Sequence, residues 1–281
     1  MIYVVIPVFN RLHFTIQCLD SLRKQTSRYF RTVVVDDGST DGTSETLEKS
    51  YPEVILLKGT GDLFWTASVN MGVRYALKDG ASQILTMNND VAAPEDFIEN
   101  MIKWADKRPR ALIGALEISA LTGKIISGGE KVDWITGKNY PIVKTLPPEK
   151  QKGLHEVSHL PGRGLLIPRE VFEKIGMFNE KLFPHYMADF DFTRQAYKGG
   201  FELYCNYDAK LYTYPEASGD SANRKNKNIR NYYNHLFTIK GGGNLKNFTN
   251  YAIRNCPKPY LPGYLIAGYA RRIFGYLVKK T

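Results

Sequence analysis

The run Thr32-Val33-Val34-Val35-Asp36-Asp37-Gly38-Ser39-Thr40-Asp41-Gly42-Thr43 passes from β-branched residues into two adjacent carboxylates and a glycine turn. A short, unbroken β-branched run reads as a buried parallel strand. The polar residues that close it then stand at the carboxyl edge of a sheet, where open α/β sheets bind ligands. Asp36 and Asp37 are therefore either ligand contacts or the cap of a turn at Gly38.

Outward from that run the same pattern repeats. Upstream, residues 2–6 read as a strand, and Leu12, Ile16, Leu19 and Leu22 recur at helical spacing. Downstream, a helix from about Gly42 to Lys49, capped by Asp41, precedes a strand at Val54 to Leu57. A third unit has a helix over about Ala67 to Leu77 and a strand at Ile84 to Met87, closed by Asn88-Asn89-Asp90. Such alternation predicts a mostly parallel sheet with right-handed crossovers. Pro94 starts an amphipathic stretch reaching about Ala105, and Ala111 to Leu116 returns to the sheet. Residues 117–160 read as irregular, with hairpins and a mobile loop. Gly162-Arg163-Gly164 precedes a short strand, and Pro168 begins a helix over Glu170 to Ile175. A further helix is expected from Asn226 to Lys240.

Hydrophobic content of 43% over 281 residues is enough for a substantial core and excludes a disordered chain. Cys18, Cys205 and Cys256 are odd in number and scattered, as structural reduced thiols are. Met1 leads straight into a strand, with no basic leader before it, and no apolar run reaches spanning length. The expected location is cytoplasmic, with peripheral contact at the inner face of the cell membrane. Charge is asymmetric: 12 of the 38 Lys and Arg fall in residues 221–281, which contain no Asp or Glu. Tyr260 to Lys280 mixes large apolar residues with Arg271, Arg272, Lys279 and Lys280, the composition of an interfacial helix or of a basic helix packed on the protein's own surface.

Five motifs in consistent order resemble family 2 glycosyltransferases of GT-A fold: Val5-Ile6-Pro7-Val8-Phe9-Asn10-Arg11, Val35-Asp36-Asp37-Gly38-Ser39, Asn70-Met71-Gly72, Asn88-Asn89-Asp90 and Asp189-Phe190-Asp191. The resemblance covers Ile2 to about Tyr214. It implies a Rossmann-like, mostly parallel central sheet with flanking helices and a basic helical C-terminal segment. Residues 1–100 would form the nucleotide-sugar-binding half, residues 101–220 the acceptor-binding and catalytic half of the same domain, and residues 221–281 the basic segment.

The same resemblance assigns roles. Val8 or Phe9 backbone groups and Asp37 would read the base, Asp37 by accepting a hydrogen bond from a pyrimidine N3-H, with Pro7 and Arg11 as further donor contacts. Asn88-Asn89-Asp90 takes the place of an Asp-x-Asp element whose first acid is here Asn. Asp90 would be the ligand of a Mg or Mn divalent cation, with Asn88 and Asn89 as neutral donor contacts. Asp189 matches the family's catalytic base, although the Glu that precedes it there is Ala188 here, and Asp191 is the orienting or acceptor-binding carboxylate. The alternative for both is service as acids in a helix's first turn. Gly59 to Thr66 resembles bacterial dTDP-rhamnosyltransferase-like members, with Asp62 and Trp65 beside the donor sugar and Asn70 beyond them. A family His is replaced near Tyr214. His185, Arg163 and the basic residues Arg224, Lys225 and Lys227 are substitutes, Arg163 as a donor contact.

The expected function is inverting transfer from dTDP-rhamnose or a UDP-sugar to a glycan or lipid-linked glycan, in bacterial-type surface polysaccharide assembly. Alternatives are a sugar-phosphate nucleotidyltransferase, which should carry a glycine-rich loop where Pro7-Val8-Phe9-Asn10 stands, and a non-catalytic protein binding an anionic membrane surface through residues 260–281. A dinucleotide-binding dehydrogenase is disfavoured because no Gly-x-Gly-x-x-Gly opens the first helix. Nucleic acid is disfavoured because no binding motif accompanies the charge.

Overall fold

The computed structural model describes residues 1–214 and 228–278. The expectations placed on Arg224, Lys225, Lys227, Lys279 and Lys280 lie outside the described residues. Elements follow in the order β1 (Ile2–Val8), α1 (Leu12–Arg23), β2 (Phe30–Asp36), α2 (Thr43–Ser50), β3 (Ile55–Lys58), α3 (Phe64–Lys78), β4 (Gln83–Thr86), β5 (Val91–Ala92), α4 (Phe97–Lys107) and β6 (Ala111–Ser119). Then come β7 (Ile125–Ser127), β8 (Glu130–Asp133), β9 (Lys138–Pro141), β10 (Leu154–Glu156), β11 (Leu165–Pro168), α5 (Arg169–Ile175), α6 (Ala188–Lys198) and β12 (Glu202–Thr213). Three helices close the chain, α7 (Ile229–Phe237), α8 (Leu245–Asn255) and α9 (Leu261–Val278).

The main sheet runs β10-β12-β6-β11-β4-β1-β2-β3. β4, β1, β2 and β3 are parallel, as the repeating units predict, and β6 and β12 are parallel to each other. Between these two blocks β11 runs antiparallel to both β4 and β6. The sheet is buried on both faces, which explains the unbroken apolar runs. Along β1, Tyr3 and Val5 enter the layer that contains Val69, Val73 and Ala76 of α3, while Ile2, Val4, Ile6 and Val8 enter the layer of Cys18, Leu19 and Leu22 of α1. The period of two sends alternate residues to opposite sides. In α4, Phe97, Ile98, Met101 and Ala105 form the buried stripe of an amphipathic helix. Each such large side chain, fully buried, contributes about 1.5–3 kcal/mol.

Several local expectations are corrected. α4 begins at Phe97, because Pro94 heads a turn in which Phe97 N-H donates to Pro94 O at 3.0 Å. Gly42, in the left-handed region at φ 82°, occupies the position before α2. Asp41 accepts from Leu12 N at 2.8 Å, from Thr43 Oγ1 at 2.5 Å and from the Thr43 backbone amide at the start of α2, tying α1 to α2. Residues 117–119 continue β6, and the β8–β9 hairpin orders the middle of the region expected to be irregular.

The C-terminal helices pack on the core. Tyr251 and Phe248 of α8 are buried, Arg272 of α9 lies 3.8 Å over the Phe248 ring, and Arg271 donates to Thr136 O at 3.2 Å. Arg272 thus serves internal packing, while Arg271 is exposed and ties α9 to the β8–β9 turn. Among the described residues no helix is long and apolar enough to cross a membrane.

Candidate active site

Topology gathers the motifs at one edge. Val8 pairs in register with Asp36, and Val5 with Thr86, so the carboxyl ends of β1, β2 and β4 stand side by side. β11 runs the other way, which brings the turn before it, 162–164, to the same edge; Leu165 pairs with Thr86. β6 also points there, since Leu165 pairs with Gly114.

Asp36 accepts from Ser39 N at 2.9 Å and from the Ser44 hydroxyl, so it closes the turn. Asp37 N-H donates to Val8 O at 2.8 Å, joining the ends of β1 and β2. The Asp37 carboxylate, 4% exposed, accepts from Gly61 N at 2.8 Å, Leu63 N at 2.9 Å and Phe64 N at 3.2 Å. It sits at the positive end of α3 and uses about three of its four acceptor sites on this loop. A Cβ at Gly59 would lie 2.7 Å from Asp37 Oδ1, so only glycine lets the loop wrap the carboxylate. Asp62 is exposed and bonded to the Thr60 hydroxyl. Asn70 is not directed to a donor. Its amide accepts from Phe178 N at 3.1 Å and donates to Phe178 O at 2.9 Å and Glu180 at 2.8 Å, pinning α3 to the chain that leads into α6.

The second cluster lies around Asp90. Trp65 Nε1 donates to Asn88 Oδ1 at 2.9 Å, and Asn89 Nδ2 donates to Thr15 Oγ1 at 3.0 Å, so both asparagines position the turn. Asp90 is 6% exposed, with Arg11 Nη1 3.5 Å from its Oδ2. Among the described residues its buried Oδ1 has no hydrogen-bond partner.

Asp189 stands in the first turn of α6 and is partly buried. It accepts from Gly162 N at 2.8 Å and from Phe190 N at 2.9 Å. Burial raises its pKa against the opposing pull of those two amides, His159 and Arg163. Gly162 also lies against Trp65, where a Cβ would come within 2.5 Å of the indole, so the Trp65, Gly162 and Asp189 positions are coupled. Asp191 is two residues on, about 200° round the helix. It faces α8, where Arg254 Nε and Asn255 Nδ2 donate to its Oδ1 at 2.9 and 2.8 Å.

Two groups missed by sequence reasoning complete the site. Glu117 of β6 is fully buried, and Arg163 Nη2 lies 2.8 Å from its Oε2. Burial pushes its carboxyl up to about 7, against the lowering effect of Arg163 and with Asp189 and Asp90 adding to the rise. An acid inside the otherwise apolar run Ala111 to Ile118 was the signal available. Lys240 stands 5.5 Å over the Phe9 ring and 5.9 Å over that of Phe64. His185 is held down to about 4 by burial, with Lys240 and Arg11 adding to the effect, so its imidazole is neutral at pH 7.

The non-glycine residues with positive φ among those described are Asn10, Arg11, Phe64 and Met187. All four border this edge, where left-handed backbone is held by the surrounding structure. No group of three or more His, Cys, Asp or Glu converges as a metal cage among the described residues.

The family model for glycosyl transferase family 2 matches residues 3–176. The chain belongs to that family. Among its relatives, an uncharacterised glycosyltransferase of Rickettsia prowazekii is 28% identical over 200 residues, 68% of this chain and 57% of that protein. The dTDP-rhamnosyl transferase RfbF of Shigella flexneri is 25% identical, over 66% of this chain and 60% of its own length. The N-acetylglucosaminyl-diphospho-decaprenol L-rhamnosyltransferase of Mycobacterium tuberculosis is 26% identical, over 65% of this chain and 66% of its own. The chain thus spans less than two thirds of these relatives. The S. aureus TarS fragment 1–349 in complex with UDP-GlcNAc matches this family 2 chain with TM-score 0.62 at 16% identity, covering 98% of this chain and 72% of that one. GalNAc-T7 with UDP, GalNAc and Mn2+ matches with TM-score 0.62 at 16% identity, over 76% and 43%. Likeness at that level establishes the shared GT-A fold.

Proposed function

We propose that this protein transfers a sugar, with inversion, from a nucleoside diphosphate donor to a hydroxyl of a glycan or lipid-linked glycan in surface polysaccharide assembly. The observation that carries the reading is the buried Asp90 Oδ1, without a hydrogen-bond partner among the described residues, beside Arg11 and at the same sheet edge as a partly buried Asp189. Rhamnose on dTDP is the favoured donor, since the relatives in S. flexneri and M. tuberculosis are named as rhamnosyltransferases. A UDP-sugar is the alternative, in line with the TarS complex.

The nucleoside would lie over Pro7, Val8 and Phe9, where Asp37 shapes the wall through its hold on residues 61–64. Arg11 and Lys240 supply positive charge for the diphosphate, and neutral His185 adds a donor or acceptor without competing charge. The fit to a divalent cation rests on Asp90 Oδ1: one hard oxygen suits Mg or Mn, which keep waters and substrate phosphates as their other ligands. Bound there, the ion would neutralise charge on the departing nucleoside diphosphate. Trp65, fixed by Asn88 and packed on Gly162, walls the sugar. Asp189, its pKa raised by burial, would take the acceptor proton. Asp191 orients it at one remove, by locking α6 to α8.

Thermal stability with dTDP, UDP and GDP, each with and without Mn2+, tests this. Ligand binding to the folded state raises the midpoint by mass action. A Mn2+-dependent rise largest with dTDP, abolished in Asp90→Asn, is expected. No rise with any nucleotide would remove the donor assignment.

A further inference from the structure

We infer that α7 and α9 form a lipid-facing surface, with an anionic bilayer as the occupant. On α7, Ile229, Tyr233 and Phe237 recur every four residues and are 88%, 60% and 55% exposed. That spacing sets them in one stripe. On α9, Ile266 and Phe274 are 71% and 62% exposed and eight residues apart. The helices are neighbours: Tyr232 OH donates to Ile273 O at 3.0 Å, and the Tyr232 and Tyr276 rings lie 5.1 Å apart. Each helix therefore buries one side and offers large apolar groups on another.

Charge selects the occupant. Residues 221–281 hold no acid, and of their Lys and Arg, Arg230 is exposed beside Ile229, with Lys246, Lys258 and Arg271 exposed as well. Two copies of so basic a region repel each other, whereas an anionic headgroup layer attracts it. Exposed aromatic and aliphatic groups set among basic ones are the composition that inserts at a headgroup boundary. The surface adjoins the proposed donor mouth, since Lys240, three residues past Phe237, stands over Phe9 and Phe64. Accepting from a lipid-linked glycan rests on the function proposed above; binding to lipid does not.

The test is co-sedimentation of the full chain with vesicles of equal parts phosphatidylglycerol and phosphatidylcholine, beside vesicles of phosphatidylcholine alone. The wild type is expected to partition to the anionic vesicles, and the triple variant Ile229→Ser, Tyr233→Ser, Phe237→Ser to lose roughly tenfold or more. These side chains are exposed, so the variant keeps its melting temperature and its nucleotide-induced shift. Equal partition of the variant and wild type would overturn the proposal, as would a concentration-dependent dimer in light scattering that the variant dissolves.

Discussion

Asp189 and Glu117 are two acids raised in pKa by burial within one site, with different consequences. Asp189→Asn keeps the hydrogen-bond acceptor for Gly162 and removes the base. Transfer measured by nucleoside diphosphate release should fall about 10²–10⁴-fold, with the nucleotide-induced thermal shift intact; full turnover would exclude Asp189 as base. For Glu117 the readout is stability. The unfolded chain ionises this carboxyl at the ordinary value of 4.5, while the fold retains its proton up to about 7. Stability should therefore fall as pH rises between those values, by on the order of 3 kcal/mol. Glu117→Gln should remove that fall, so the urea midpoint of the variant relative to wild type should climb across the window. A flat difference across that window would mean that Arg163 keeps Glu117 ionised. Asp36-Asp37 and Asn88-Asn89-Asp90 could be assigned to one sheet edge because each closes an apolar run. Glu117 left a signal, an acid inside an apolar run, but its pairing with Arg163 from a turn 46 residues on was not legible.

At the scale of elements, the β-α-β units were readable from periodicity alone, and their observed ends differ from expectation by a few residues. β12 was not foreseen: Asn206 and Asp208 interrupt its apolar alternation, and the register shift between Asn206 and Lys210 breaks its pairing with β6. Asn206 is buried there by donating to Asn100 O, a partner over 100 residues away. The placement of α6 depends on contacts just as remote. Arg254→Ala would leave the buried Asp191 with Asn255 but without its ion pair, and should destabilise by about 1–3 kcal/mol in urea denaturation. It should lower transfer only as far as α6 shifts, leaving the nucleotide-induced thermal shift unchanged. Gly162→Ala should act on the site more directly, because its Cβ would meet the Trp65 indole. Transfer should fall at least tenfold, with a weaker response to donor sugar than to free nucleoside diphosphate.

For the whole molecule, the α/β class and the layered core follow from composition and pattern, while the order of strands does not. β11, four residues long, is the seam joining the β4-β1-β2-β3 block to the β6-β12 block. Its place between them leaves no mark on its own sequence. The seam has a consequence for biosynthesis. A nascent chain emerging from the ribosome has β1 to β4 available to pair early. β4 and β6, however, each keep an open edge until residues 165–168 have been made, and β6 waits longer still for β12. For that interval two hydrophobic strands present unpaired backbone. Synthesis speed and chaperone supply should therefore govern yield most strongly while the stretch between Ser119 and Leu165 is being translated.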